Sequence, residues 1–150
     1  MLRSYFAPQC VPSRISGRAT QMAGDDACAR FAALDQGGPL RLQLVRRTGF
    51  NLRAMSHSLN GRDVVWVARP GKWSNPFVVT TNFRPGTKIG INCVAVPTVQ
   101  DAVSCFRAFL EENPSVQIKV REHLAGLNLA CWCDPAAPCH ADILLDIANR

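Results

Sequence analysis

Leu127-Asn-Leu-Ala-Cys-Trp-Cys-Asp-Pro-Ala-Ala-Pro-Cys-His-Ala-Asp142 joins the two hydrophobic periods on which the fold turns. Leu127 to Trp132 is an apolar run of strand length. Ala141 to Asn149 carries Ile143, Leu144 and Ile147 at helical spacing. Between them Pro138 fixes the approach, so Cys139 falls at or beside the helix N-cap and His140 follows it. Open α/β sheets bind ligands at such strand-to-helix junctions, beyond the carboxyl ends of the strands. Free N–H groups and the positive end of the helix dipole favour a thiolate or a bound anion there.

Three readings of this junction stand side by side. Cys139 is a nucleophile or anion-site residue with His140 as its acid–base partner. Alternatively Cys131, Cys133, Cys139 and His140 hold a metal, being four ligands of the kind zinc takes, although their spacing is not the usual two-knuckle pattern. Or the cysteines are small core residues in a tight structural turn. On a strand, Cys131 and Cys133 point to one face and Trp132 to the other, which suits ligation and packing equally.

Upstream, the patterns that can pack against this unit are those of an α/β domain. Leu40, Leu42 and Leu44 alternate with Arg41 and Gln43 as in a half-buried strand. Asn51 can cap a short helix that Asn60-Gly61 stops. Asp63 to Ala68 reads as a buried strand, and Phe77 to Thr80 and Ile89 to Val96 as further strands, with Arg84-Pro-Gly86 as a turn between these two. Thr98 and Asp101 resemble a capping box, opening a helix with Val99, Val103, Phe106 and Leu110 on one face. Asn113-Pro114 ends it, and a second helix runs from Ser115 to about Leu124. The expected fold is a small α/β domain, a mixed sheet with helices packed on it, Rossmann-like and three-layered, over residues 39–150. Residues 1–38, acid-poor at the start and closed by Gly37-Gly38-Pro39, read as a poorly ordered N-terminal extension. Their Arg and Ser content also fits a transit peptide, and Met22 and Met55 are possible internal starts.

Composition narrows the function. The 150 residues carry 17 Lys+Arg against 11 Asp+Glu, a net charge of +6, with 47% hydrophobic residues, so the chain is neither intrinsically disordered nor strongly charged. Fourteen of the cations are Arg, the better bidentate partner for phosphate and carboxylate, although a GC-rich genome produces the same bias. No run approaches the roughly 20 apolar residues that span a bilayer, so no membrane partner is expected. Seven cysteines, an odd number, argue for mostly reduced thiols and a cytoplasmic setting. A second loop, Arg69-Pro-Gly-Lys-Trp-Ser-Asn-Pro-Phe77, follows a strand and pools groups that can hold a nucleotide. Arg69 and Lys72 can take phosphate, Trp73 can stack, and Asn75 can orient the ligand or the loop. The bland reading is a Pro/Gly turn with a core-capping Trp.

Three motifs carry a family resemblance. Arg41-Leu-Gln-Leu-Val-Arg-Arg-Thr-Gly-Phe50, Arg69-Pro-x-Lys-Trp-x-Asn-Pro-Phe77 and Leu127-x-Leu-Ala-Cys-Trp-Cys-x5-Cys-His140 stand in this order. Together they make residues 39–149 similar to a bacterial and phage family catalogued as domain of unknown function 4326. Ser74 and Ala141 stand where that family commonly has Gly. The resemblance implies that the two loops share one site; it implies no activity. The strand–Cys…Cys-His–helix ending also resembles domain of unknown function 488, which implies a Rossmann-like fold.

Two functions from different classes follow. The first is a protein that binds or modifies a nucleotide, nucleoside or nucleic-acid end, catalytic or not, using Cys139, His140, Arg69, Lys72, Trp73 and Asn75 and no cofactor. The second is a zinc-stabilised, non-catalytic module that binds nucleic acid or protein. A structural accessory without a ligand site is the third possibility. Oligomeric state is not legible in these residues.

Overall fold

Leu129 and Ala130, both fully buried, lie at the centre of the sheet that organises the protein. The computed structural model describes residues 37–90 and 92–150. Strands β1 (Arg41–Gln43), β2 (Val64–Trp66), β3 (Phe77–Val79), β4 (Val94–Val96) and β5 (Asn128–Cys131) form two small sheets. Helices α1 (Leu52–Asn60), α2 (Val99–Glu112), α3 (Pro114–Leu124) and α4 (His140–Ala148) pack with them. The first sheet has the order β1-β5-β2 and is parallel throughout, with Gln43 opposite Cys131 and Trp66 opposite Ala130. Central strand β5 is buried at all four positions, as parallel strands covered on both faces are. The second sheet pairs β3 and β4 in parallel, and an antiparallel bridge from Lys88 to Val94 adds the one opposite-running contact among the described residues. The fold is α/β, as the alternation of periods indicates.

Helix ends follow their sequences. Asn51 Oδ1 accepts the Ala54 N–H at 3.0 Å to start α1, and Gly61, at φ +70°, ends it by donating to the His57 carbonyl at 2.9 Å. Thr98 Oγ1 accepts from the Asp101 N–H at 3.1 Å, the expected N-cap of α2, and donates to Asp101 Oδ2 at 2.5 Å, so the Asp101 carboxylate takes the hydroxyl rather than the Thr98 N–H of a full capping box. Pro114 opens α3 at its first position, where its missing N–H costs nothing.

Three expectations change. The Asp63–Ala68 run is an edge strand of three residues with Trp66 49% exposed, because β2 pairs only with β5. The strand read from Ile89 begins only at Val94, since the Ile89 N–H turns back to the Cys93 carbonyl at 2.8 Å. Val99, placed on the inner face of α2, is 48% exposed in the first turn, and Ala102, Cys105, Phe106 and Leu110 form the buried face instead.

The main core gathers Val67, Phe106, Leu110, Val120, Leu124, Leu129, Ile143, Leu144 and Ile147 from β5, the end of β2 and helices α2 to α4. Each such side chain, once buried, contributes about 1.5–3 kcal/mol. The amino end of β5 is polar and fully paired. Asn128 and Asn60 exchange hydrogen bonds at 2.7 and 3.0 Å, while Asn128 also donates to Ser56 Oγ and accepts from the Leu40 N–H, both at 2.7 Å. The expected extension over residues 1–38 lies outside the described residues, save Gly37 and Gly38. Their carbonyls accept from Arg62 Nε at 2.7 Å and Asn60 Nδ2 at 2.9 Å.

Candidate functional site

Because β1, β5 and β2 are parallel, their carboxyl ends open on one side of the sheet, and the Cys/His junction lies there. β5 delivers Cys131, and the chain continues through Trp132 and Cys133 into a turn. In that turn Asp134 Oδ1 accepts the Ala136 N–H at 2.8 Å and the Asp134 carbonyl accepts the Ala137 N–H at 3.0 Å. Arg41 holds the turn from β1. Its Nη1 donates to the Ala137 carbonyl at 3.0 Å, its Nη2 donates to the Pro135 carbonyl and, at 3.4 Å, to that of Asp134, and Asp142 Oδ2 lies 3.1 Å from Nη1. The turn therefore returns the chain to the sheet at Pro138, with Cys139 in extended conformation as the N-cap of α4.

Three thiols meet at this point. The Sγ atoms of Cys131, Cys133 and Cys139 all lie within 4.8 Å of one another, and those of Cys131 and Cys133 are 3.6 Å apart. Cys139 Sγ accepts the Ala141 N–H at 3.4 Å. His140 Nδ1 is 3.7 Å from Cys139 Sγ and 4.0 Å from Cys131 Sγ, and its Nε2 is 3.0 Å from the Val67 carbonyl. A carbonyl only accepts, so Nε2 carries a proton, and Nδ1 faces the sulfurs. Phe106 packs edge-on against the imidazole, ring centroids 5.6 Å apart.

The cluster is electrostatically uneven. The hydrogen bond to Cys131, then burial, push the Cys139 thiol up to about 11. The same bond, received from Cys139, holds Cys131 below the ordinary thiol value. Burial raises Cys133. Cys139 is also only 2% exposed, a poor setting for an attacking thiolate.

A cleft of about 250 Å³ opens over the cluster, bordered by Arg69, Asn75, Trp132, Cys133, Cys139 and His140 among others. The second loop is divided by the fold. Arg69 and Asn75 border this cleft, whereas Lys72 and Trp73 border a separate one of about 210 Å³ between the loop and helices α2 to α4. Trp73 is there engaged by Lys72 Nζ, 4.6 Å above its ring, and by the His123 ring at 5.7 Å. Asn75 is buried, donates to the Ala102 carbonyl at 3.0 Å and accepts the Phe77 N–H at 2.8 Å, so its amide pins the loop to α2. Of the expected ligand-binding residues, Arg69 is the one whose side chain makes no hydrogen bond or ion pair while bordering the Cys/His cleft, among the described residues.

The family described as Domain of unknown function (DUF4326) matches residues 50–150. The chain belongs to this family. The match holds the loop of residues 69–77 and the Cys/His junction, and starts at the last residue of the Arg41-to-Phe50 motif. No curated protein and no solved structure matches the chain.

Two participants escaped the sequence. Trp132 is 40% exposed and borders the cleft, with the guanidinium carbon of Arg46 at 4.9 Å from its ring centroid. Arg41 reaches the turn across more than 90 residues of sequence. The position of Trp132 opposite two same-facing cysteines was the available signal for the first; nothing local announces the second.

Proposed function

We propose that this family member binds the end of a nucleotide or of a single-stranded nucleic acid in the cleft beyond β1, β5 and β2. One juxtaposition supports the reading: the exposed guanidinium of Arg69 and the exposed indole of Trp132 border the same cavity. A guanidinium matches phosphate bidentately, and a base stacked on an aromatic ring contributes about 1–3 kcal/mol. A cavity of about 250 Å³ lies below the roughly 300–1,000 Å³ of sites that enclose whole drug-sized ligands. It suits one base and its phosphate, with the rest of the ligand in solvent. The net charge of +6 favours an anionic partner. In this reading Trp132 takes the stacking role expected of Trp73, and Arg69 holds the phosphate without Lys72, which borders the other cleft. The reading is of binding rather than attack by Cys139, because that residue is only 2% exposed. Free thiols at all five described cysteines fit a cytoplasmic protein.

Calorimetric titration of the full chain with nucleoside monophosphates, and with a short single-stranded oligonucleotide, tests this. Saturable binding is expected, weakened about tenfold or more by Arg69→Ala and by Trp132→Ala. Lys72→Ala is expected to leave it unchanged. Absence of saturable binding at millimolar ligand, or equal losses in all three variants, overturns the proposal.

A further inference from the structure

We propose that Cys131, Cys133, Cys139 and Nδ1 of His140 form a four-coordinate structural zinc site. Zn–S bonds of about 2.3 Å and Zn–N bonds of about 2.0–2.1 Å give a tetrahedron with S···S edges of about 3.8 Å and S···N edges of about 3.6 Å. The edges here are 3.6 Å for Cys131–Cys133 and 3.7 and 4.0 Å from Nδ1 to Cys139 and Cys131, with every S···S separation inside 4.8 Å; the edge from Nδ1 to Cys133 is longer than that and closes on binding. Side chains packed only for volume have no reason to gather three thiols within one ligand shell and set an imidazole nitrogen against two of them.

The surroundings have the properties of an outer shell. Ligating histidines donate their second ring N–H to a carbonyl or carboxylate, which fixes the tautomer; His140 Nε2 has the Val67 carbonyl at 3.0 Å. The Ala141 N–H on Cys139 Sγ supplies a backbone hydrogen bond to a thiolate. Binding sends the protons of the three thiols to solvent and leaves the imidazole neutral, so the centre carries a net charge of −1. Soft sulfur with one imidazole in tetrahedral array selects zinc over magnesium or calcium. Four protein ligands close the shell, so the ion ties β5, its turn, α4 and, through Val67, the end of β2, and offers no position to substrate.

Metal analysis of the untagged full chain, purified without chelator, is expected to find about one zinc per chain. Zinc release should follow thiol modification, and cobalt exchanged for it should show tetrahedral d–d bands with thiolate charge-transfer absorption. Cys133→Ser, at the half-buried ligand, should weaken zinc by more than the roughly 10–100-fold that loss of an outer-shell partner costs. Zinc-free protein that stays folded and binds no added zinc or cobalt overturns the site. So does metal whose affinity Cys133→Ser leaves unchanged, which marks an adventitious ion. If Cys133→Ser does not fold, the cobalt spectrum of the unaltered chain decides, and octahedral bands without thiolate absorption refute the assignment.

Discussion

His140 Nε2 lies 3.0 Å from the carbonyl oxygen of Val67, the residue that follows β2. The Val67 N–H is itself bonded to the Ala130 carbonyl of β5 at 3.0 Å, so one residue joins the central strand to the first residue of α4. This contact fixes which ring nitrogen is protonated. Nitrogen NMR of the imidazole is expected to show His140 as the Nε2–H tautomer, with a slowly exchanging ring proton. A Nδ1–H tautomer contradicts the arrangement.

Gly71 permits the turn that leads from β2 to the cleft. A Cβ built there would stand 2.8 Å from the Ala68 carbonyl oxygen, a backbone atom that the Gly71 N–H already engages at 2.9 Å. Gly71→Ala should therefore destabilise the protein by about 1–3 kcal/mol, the cost of forcing atoms into a filled space. Urea unfolding midpoints measure it, and a loss below about 0.5 kcal/mol counts against the close approach.

The paired amides of Asn60 and Asn128 act as a unit. Asn128→Ala strands partners on Leu40, Ser56 and Asn60 at once, and should cost about 3 kcal/mol or more. Asn60→Ala removes the two bonds they share together with its own bond to the Gly38 carbonyl, so the two losses should be less than additive. A double-mutant cycle with a coupling of about 0.5–3 kcal/mol is expected, and strict additivity argues against the pair.

In chelator-treated protein the thiols should react in a defined order. Cys139, at about 11, lies well above neutral pH, so only about one part in 10⁴ is thiolate at pH 7. Its alkylation should be slower than that of a model thiol and should accelerate as pH rises toward 11. Cys133, the more exposed of the cluster, should react before it. Peptide mapping after timed alkylation reads the order, and a fast Cys139 at neutral pH restores the nucleophile role.

Arg41→Lys is not a conservative change. A single ammonium cannot reach the carbonyls of Asp134, Pro135 and Ala137 together with Asp142 as the guanidinium fork does. The variant should lose about 1–3 kcal/mol. Hydrogen exchange should quicken at Ala136 and Ala137, whose N–H groups close the turn. Unchanged protection there shows that the turn holds itself.

The β5–turn–α4 unit, the Thr98 cap on the Asp101 N–H and the stop at Gly61 were legible because each rests on residues close in sequence. The thiol cluster was located for the same reason. What local pattern could not separate was Trp73 from Trp132. Both stand in loops beyond strands, and only the packing of Trp73 toward α2 and α3 puts it on another cleft. The roles of Arg41 and Asn128 were invisible, since their hydrogen-bond partners lie 68 to 96 residues away in the chain. The exposure of Trp66 is hidden in the same way, because an apolar run does not say whether a strand has one neighbour or two.

The strand order β1-β5-β2 also bears on how the protein is made. β1 and β2 touch no strand but β5 within their sheet, and β5 follows them by more than 60 residues. On a growing chain both outer strands wait with open edges until the middle one is synthesised. The high sequence separation of these pairings predicts slow assembly and a period of exposure to aggregation. A nascent chain truncated before Asn128 would be a client for chaperones rather than a partly built domain.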